Sequence, residues 1–375
     1  MINKNKIYWE KEDKIARVNN ESPKKVEIQP TLNNFELNSI DWHKYNLAKT
    51  QEKRLFYQLL HELCSIIPEP LQEKGRPRAK LKDLVFSLGL KLYSNYSGRK
   101  VYSDLVHAKG AGYVSNNLHY NTLTDFLNCP VTYDLLQRLL TISALPLKHL
   151  EDSFSIDSSG FGSYQYERWI RTRFRNNKKG WRNYIKGHIF IGTRTNVIIS
   201  CEATYGNQAD VKQAPKLLES LKEFNVKEVS MDAGYRSQRL HQIVESLGGL
   251  PFVPFSPRTN PKVGKAPEIW IRMFRYFQTN KEDFMKHYHK RSNVETVFSM
   301  VKMRLGEFLK CKKFDTQRSE LLMKFICHNI CCLVQEIYDR GVHVDFKKFI
   351  DKLTDRKVEE ASGLMVDRNL QERDL

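Results

Sequence analysis

Apolar residues recur along this chain with two different periods, and the period changes near Phe154. From about Asp41 to Leu150 they fall at helical spacing, as in Arg54-Leu-Phe-Tyr-Gln-Leu-Leu-His-Glu-Leu63 and Leu81-Lys-Asp-Leu-Val-Phe-Ser-Leu-Gly-Leu90. Residues three or four apart then share one face of a helix. A loop with Gly110 and Gly112 separates two helical blocks. Tyr120-Asn-Thr-Leu-Thr-Asp-Phe-Leu127 reads either as the second helix of a helix-turn-helix or as an ordinary bundle helix. Beyond Phe154 the alternation becomes that of strands. Ser153-Phe-Ser-Ile-Asp-Ser158, His188-Ile-Phe-Ile-Gly192 and Val197-Ile-Ile-Ser-Cys201 are three, with Thr193-Arg-Thr-Asn196 as a hairpin turn between the last two. Asp210 to Phe224 reads as a helix, and Val226-Lys-Glu-Val-Ser-Met231 as a strand ending at Asp232. Ser237 to Leu247 reads as a helix stopped by Gly248 and Gly249. Leu250-Pro-Phe-Val-Pro-Phe255 is an edge strand by its prolines, and a long helical region runs from about Asn280 to Arg340.

That order predicts a mixed α/β sheet flanked by helices, with a helical region in front. The expected division is a polar, flexible arm over 1–40, a helical domain over 41–150, a sheet-containing domain over 151–340 and a charged tail over 341–375. No repeats or low-complexity tracts are present.

Charge then narrows the class of partner. The chain has 375 residues, 61 Lys and Arg against 43 Asp and Glu, and a formal net charge of +18. An excess that large favours a polyanion, nucleic acid first. No uninterrupted apolar run is long enough for a transmembrane span, and the first twenty residues lack an apolar signal core, so a cytoplasmic protein is expected. Seven cysteines without paired CxxC spacing suit a reducing compartment. Cys327, Cys331 and Cys332 cluster with His328 in an apolar stretch, which reads as a buried helix ahead of a metal site.

Three carboxylates stand out. Asp157 and Asp232 each close an apolar alternation and precede small residues, a placement that projects a side chain into the crevice at a sheet's edge. Either alone would more often be a turn former or helix cap. The third lies in Tyr288-His-Lys-Arg-Ser-Asn-Val-Glu-Thr-Val-Phe-Ser-Met-Val-Lys302. On one helix, with Arg291 at zero, Glu295 falls at about 40°, Lys302 at about 20° and Tyr288 at about 60°. Val294, Val297, Phe298, Val301 and Leu305 form a separate apolar stripe for packing on the sheet. Alone, this face would be a solvated one with an Arg291–Glu295 pair; two strand-end aspartates upstream favour a site.

With these residues in place, the chain resembles a DDE insertion-sequence transposase with a ribonuclease H-like catalytic core, of the branch with the signature Y-x2-R-x3-E-x6-K. Tyr288, Arg291, Glu295 and Lys302 complete that signature. Further blocks match in order: Ile156-Asp157-Ser-Ser-Gly160, Lys186-Gly-His188, Gly206-Asn-Gln-Ala-Asp210, Asp232-Ala-Gly-Tyr235, Pro254-Phe-Ser-Pro-Arg258 and His328-Asn329. The resemblance covers roughly residues 150–335. It implies cut-and-paste transposition: metal-dependent cleavage at transposon ends and strand transfer into target DNA. Asp157, Asp232 and Glu295 would be catalytic and would hold two Mg²⁺, with Mn²⁺ as substitute. Arg291 and Lys302 would hold phosphates near the scissile bond, and Tyr288 would contact the backbone. The partners implied are double-stranded DNA, as terminal inverted repeats and as target, and a second copy in a synaptic homodimer, in a nucleoid-associated protein.

Two basic segments fit that expectation. Residues 164–190 hold eight cations and one acid, with Trp169, Phe174, Trp181 and Tyr184 among Arg168, Arg171, Arg173 and Arg175. This reads as a DNA-tracking loop or as a solvated basic hairpin. Arg171, Arg173, Arg175, Lys186 and His188 join the DNA-binding candidates. Residues 261–320 hold fourteen cations and seven acids. Trp270, at helical spacing in Ile269-Trp-Ile-Arg-Met-Phe274, is expected in a core. Competing readings are a transposase-derived DNA-binding protein without catalysis and a related nuclease that cleaves without joining. A nuclease acting on RNA is more distant. The DNA-reading element is expected within 41–150.

Overall fold

A computed structural model describes residues 41–70, 78–163, 184–256, 259 and 266–353. The candidate arginines Arg171, Arg173 and Arg175 lie outside those residues, as do the arm over 1–40 and the end of the chain beyond 353.

Among the described residues, the apolar periodicity of the first part folds into five helices: α1 (Trp42–Ser65), α2 (Leu81–Tyr93), α3 (Tyr102–Gly110), α4 (Tyr120–Asn128) and α5 (Pro130–Ala144). Pro130 opens α5 at its first turn, where a missing N–H does no harm. Residues 111–119 join α3 to α4, a longer link than the ~3–4-residue turn of a helix-turn-helix. Leu123, Phe126 and Leu127 of α4 are buried.

The strands are β1 (Ser153–Gly162), β2 (Tyr184–Gly192), β3 (Ile198–Tyr205), β4 (Glu228–Met231) and β5 (Leu250–Phe252), in the order β3-β2-β1-β4-β5. β1, β2 and β3 pair antiparallel, whereas β4 lies parallel to β1 and β5 parallel to β4. This is the mixed α/β sheet flanked by helices that the pattern predicts, and it is consistent with the ribonuclease H-like core that the resemblance implies. Asn196 takes the left-handed conformation in the β2–β3 turn (φ 59°), which asparagine tolerates.

Three local expectations are corrected. β1 runs on to Gly162, so Asp157 lies inside a strand; β2 continues as its partner as far as Gly162↔Tyr184. The predicted helix over 210–224 is a 3-10 turn (Asp210–Lys212), a short helix α6 (Ala214–Glu219) and a second 3-10 turn, because Pro215 can only sit in a first turn. The helical region beyond 266 divides into α8 (Glu268–Thr279), α9 (Lys281–His289), α10 (Ser292–Leu305) and α11 (Phe314–Arg340); α7 (Gln238–Ser246) precedes β5. Gly306, with φ +86°, ends α10. The chain then bridges back at Phe308 to Gly162, where an added Cβ would lie 2.7 Å from the Phe308 ring.

Helices α10 and α11 cover the sheet face that carries Ser159 and Phe161, and α6 covers the other. The predicted stripe Val294, Val297, Phe298, Val301 and Leu305 is buried in full. The core runs continuously from Phe56 of α1 through the sheet to Leu353, so the N-terminal helices and the sheet share it. A second cluster under β5 holds Phe252, Phe255, Ile269, Trp270, Met273 and Phe284, which puts Trp270 in a core. Among the described residues α11 is long and apolar enough to cross a membrane by length and composition, but 78% of that stretch is buried inside the protein. Cys327, Cys331 and His328 are buried on it, as a core helix requires.

Candidate active site

Strand register brings the two aspartates together. The last parallel pair between β1 and β4 is Ile156↔Met231, so Asp157 and Asp232 are the next residues on adjacent strands, whose spacing is about 4.8 Å. From there β1 stays paired with β2, while the chain leaves β4 at Asp232 and enters a 3-10 turn (Ala233–Tyr235). A notch opens between them. The Asp232 side chain accepts from the Gly234 N–H at the head of that turn.

Helix α10 delivers the third carboxylate. Arg291 stands at its N-cap and Glu295 in its first turn. Arg291 Nη1 donates to Asp157 Oδ2 at 2.5 Å, and Nη2 to Glu295 Oε1 at 2.6 Å. A single guanidinium thus spans a strand carboxylate and a helix carboxylate 138 positions apart in the chain. Farther along α10, Lys302 Nζ donates to Ser159 Oγ at 2.7 Å and lies over the Phe161 ring. Tyr288 sits on α9, because the helix breaks between His289 and Ser292. The predicted common face therefore crosses a break, although Tyr288 still reaches Arg291.

Several contacts fix that break against the sheet. Glu228 of β4 is paired with both His287 and Lys290. Ser230 Oγ donates to the His287 carbonyl at 2.9 Å, and Asn293 Nδ2 to the Thr193 carbonyl of the β2–β3 turn at 2.9 Å. Both ends of the Tyr288-to-Asn293 stretch are therefore held, which aims Arg291 and Glu295 at β1.

The electrostatics follow from burial and crowding. Burial holds the Asp157 carboxyl above the ordinary aspartate range, helped by Asp232 and Glu295 and opposed by the Ser158 N–H and Arg291. Burial works against the charge on Arg291, but the carboxylates of Asp157, Glu295 and Asp232 and the Tyr288 phenol outweigh it and raise its pKa. Burial lowers the Lys302 pKa. Glu295 remains 59% exposed, so it can reach an incoming ligand.

Across the sheet from Arg291 lies a second set of groups. Asp210 pairs with Lys186, accepts from Ser158 Oγ at 3.2 Å, and has His188 Nδ1 3.3 Å from its Oδ1. The His188 ring is buried, its other nitrogen lies 2.9 Å from Thr204 Oγ1, and burial lowers its pKa to about 4, so it is neutral. In this arrangement Lys186 and His188 both face Asp210. The sequence reading had Asp210 only as the end of a matching block. Its signal was there in the alternation of Lys186 and His188, which puts both on one strand face.

Three carboxylates supply hard oxygen donors of the kind divalent cations take. Among the described residues no three His, Cys, Asp or Glu side chains lie close enough together to hold a metal ion as they stand; a cationic guanidinium bridges two of the trio instead. The oxygen donors of Asp157, Asp232 and Glu295 are of a chemistry that fits a divalent ion. Residues 148–330 match the family described as transposase DDE domain, a span that contains Asp157, Asp232, Glu295 and every residue of the Tyr288-to-Lys302 signature. No curated protein and no solved structure matches the chain.

Proposed function

We propose, from a chain whose residues 148–330 match a transposase DDE domain, that the protein cleaves the ends of a DNA transposon and joins them to target DNA. The observation that carries this reading is a convergence at one notch of the sheet: strand register sets Asp157 beside Asp232, and the Arg291 bridge ties Glu295 to Asp157.

In this reading Asp157, Asp232 and Glu295 hold Mg²⁺, or Mn²⁺ in its place. When bound, divalent ions there activate the attacking oxygen and offset the charge gathering on phosphorus and on the leaving oxygen. Cleavage is attack of water on a phosphodiester with departure of the 3′ oxygen. Joining is attack of that freed 3′ hydroxyl on a target phosphodiester, with departure of the target strand's 3′ oxygen. Arg291 is the group that changes partner: with DNA present its fork takes non-bridging phosphate oxygens, a geometry it suits as well as carboxylates. Lys302, held partly buried between Ser159 and Phe161, supplies a point charge to the next phosphate. Tyr288 lies beside Arg291 to contact the backbone. The N-terminal helices and the basic segment over 164–190, including Arg171, Arg173 and Arg175, track the duplex, and two copies of the chain pair two ends.

The test is cleavage of a fragment carrying the element's own ends, with Mg²⁺, Mn²⁺ or chelator, for wild type and Asp157→Ala, followed by transfer into a plasmid. We expect metal-dependent nicks and joined products from wild type alone. Cleavage that persists in chelator or in Asp157→Ala refutes the reading. Binding without cleavage in every metal makes the protein a silent DNA-binding relative, and cleavage without joining makes it a nuclease.

A further inference from the structure

Asp210 is not one of the three carboxylates, yet the fold brings it to the same notch from the far side of the sheet. Its 3-10 turn (Asp210–Lys212) packs against the turn Ala233–Tyr235 that starts at Asp232. The two oxygens of Asp210 have different surroundings. Oδ1 is crowded by Lys186 Nζ, Ser158 Oγ and His188 Nδ1. These three come from adjacent strands and one face, since Ser158 is the register partner of His188, and Lys186 stands two residues away on β2. Oδ2 faces the other way. A Cβ on Gly234 would lie 4.0 Å from Asp210 Oδ2 and 3.7 Å from Asp232 Oδ2, so both carboxylates look onto the same side of that glycine.

Burial makes this arrangement stiff. Tyr235, 1% exposed, closes the underside of the turn, with its hydroxyl buried beside Ser158 at a geometry short of a full hydrogen bond. His188 Nδ1 is also buried and lacks a well-formed hydrogen bond in spite of its closeness to Asp210. Lys186 is thus the one full positive charge among the groups named around Asp210.

We propose that Asp210 is a positioning residue of the carboxylate centre: anchored on Lys186 and Ser158 through one oxygen, it backs the Asp232 turn and adds its negative charge beside Asp232. The inference rests on the metal-dependent reading above. Groups that orient metal-holding carboxylates typically change metal affinity by about 10–100-fold when removed. Asp210 acts through Asp232 and need not touch DNA.

The experiment is Mn²⁺ binding to the full chain, read as loss of the free Mn²⁺ paramagnetic signal, in wild type, Asp157→Ala, Asp210→Asn, Asp210→Glu and Lys186→Met. DNA affinity without metal and Tm are measured alongside. Asp210→Asn is expected to weaken Mn²⁺ binding by at least about tenfold, with DNA affinity within about twofold of wild type because no phosphate contact is lost. Asp210→Glu, which keeps the charge, is expected to recover part of the loss. Lys186→Met, which removes the anchor while leaving the Asp210 charge, is expected to weaken Mn²⁺ binding too, although loss of a nearby cation would by charge alone strengthen it. Unchanged Mn²⁺ affinity in a folded Asp210→Asn overturns the proposal, and so does unchanged or tighter binding in Lys186→Met. If Asp210→Asn does not fold, the sign of the Lys186→Met shift decides alone. Failure of wild type to bind Mn²⁺, or equal binding by Asp157→Ala, brings down the metal-dependent reading itself.

Discussion

Asp157 is the residue on which opposing demands meet. Its carboxyl is held above the ordinary aspartate range by burial first, then by Asp232 and Glu295. A raised carboxyl pKa means that the folded chain binds its proton more readily than the unfolded chain does. Stability from this group is therefore greatest below the unfolded pKa and falls as pH rises through the folded one. At neutral pH and without metal, Asp157→Asn should raise Tm, by an amount equivalent to about 1 kcal/mol, while abolishing cleavage; a thermal scan beside a cleavage assay checks both. Arg291 makes a different prediction. It bridges with two separate nitrogens, and a lysine ammonium cannot span both carboxylates. Arg291→Lys should lower the cleavage rate about 100-fold with little change in Tm, measured by single-turnover kinetics at saturating DNA.

At the scale of elements, the site depends on how strand ends are closed. Gly192 ends β2 against Glu151, which accepts from the Thr195 N–H and hydroxyl, both at 2.7 Å, and from the Arg194 N–H at 3.2 Å. A Cβ at Gly192 would lie 2.3 Å from Glu151 Cδ, and that side chain is locked by its three donors. Gly192→Ala should therefore cost about 2 kcal/mol, seen as a lower denaturant midpoint with an unchanged m-value. Because the same β2–β3 turn receives Asn293 at the start of α10, part of the loss should appear as slower cleavage. The edge strand β3 is closed by α11. Asn329 Oδ1 accepts from the Ile198 N–H at 2.8 Å, while its Nδ2 donates to the Ile198 carbonyl at 2.6 Å and to Ser143 Oγ at 2.8 Å. One amide thus acts as a strand partner and ties α5 to the sheet. Asn329→Leu leaves those groups buried and unpaired, and should cost about 3 kcal/mol in chemical denaturation.

For the molecule as a whole, buried histidines govern the response to acid. His188, His241 and His328 are each lowered to about 4, by burial first. Each is neutral in the fold and takes a proton more readily when unfolded, so its contribution is complete above about 6.5 and lost as pH falls towards 4. Ring resonances of these three among the eleven histidines should stay neutral down to pH 5, and NMR titration would show it. A ring that titrates near its ordinary value would mean that its site is open to water. All three sit where separate parts meet: His188 under the Asp210 turn, His241 against Trp270, and His328 on the Asn196 carbonyl. Acid should therefore loosen the site together with the core.

What could be read along the chain was whatever depends on near neighbours. The 3.6 and 2.0 periods placed the helices and strands, and the stripe from Val294 to Leu305 because a helix face is set by residues three and four apart. Spacing put Arg291, Glu295 and Lys302 on one face in the same way, while the signature they make with Tyr288 came from the resemblance. Strand ends were misjudged where a partner decides them: β1 continues past Asp157 because β2 supplies hydrogen bonds to Gly162, and no local signal carries that. The break between His289 and Ser292 is held by Glu228, about 60 residues upstream. The bridge from Arg291 to Asp157 spans 134 positions, and the clasp of Asn329 on Ile198 spans 131. Such contacts form only when the sheet closes, since their partners share no local period. The residues of the candidate site were therefore visible in the sequence as expectations, whereas their meeting at one notch, with Asp210 behind it, was decided by strand pairing and helix packing.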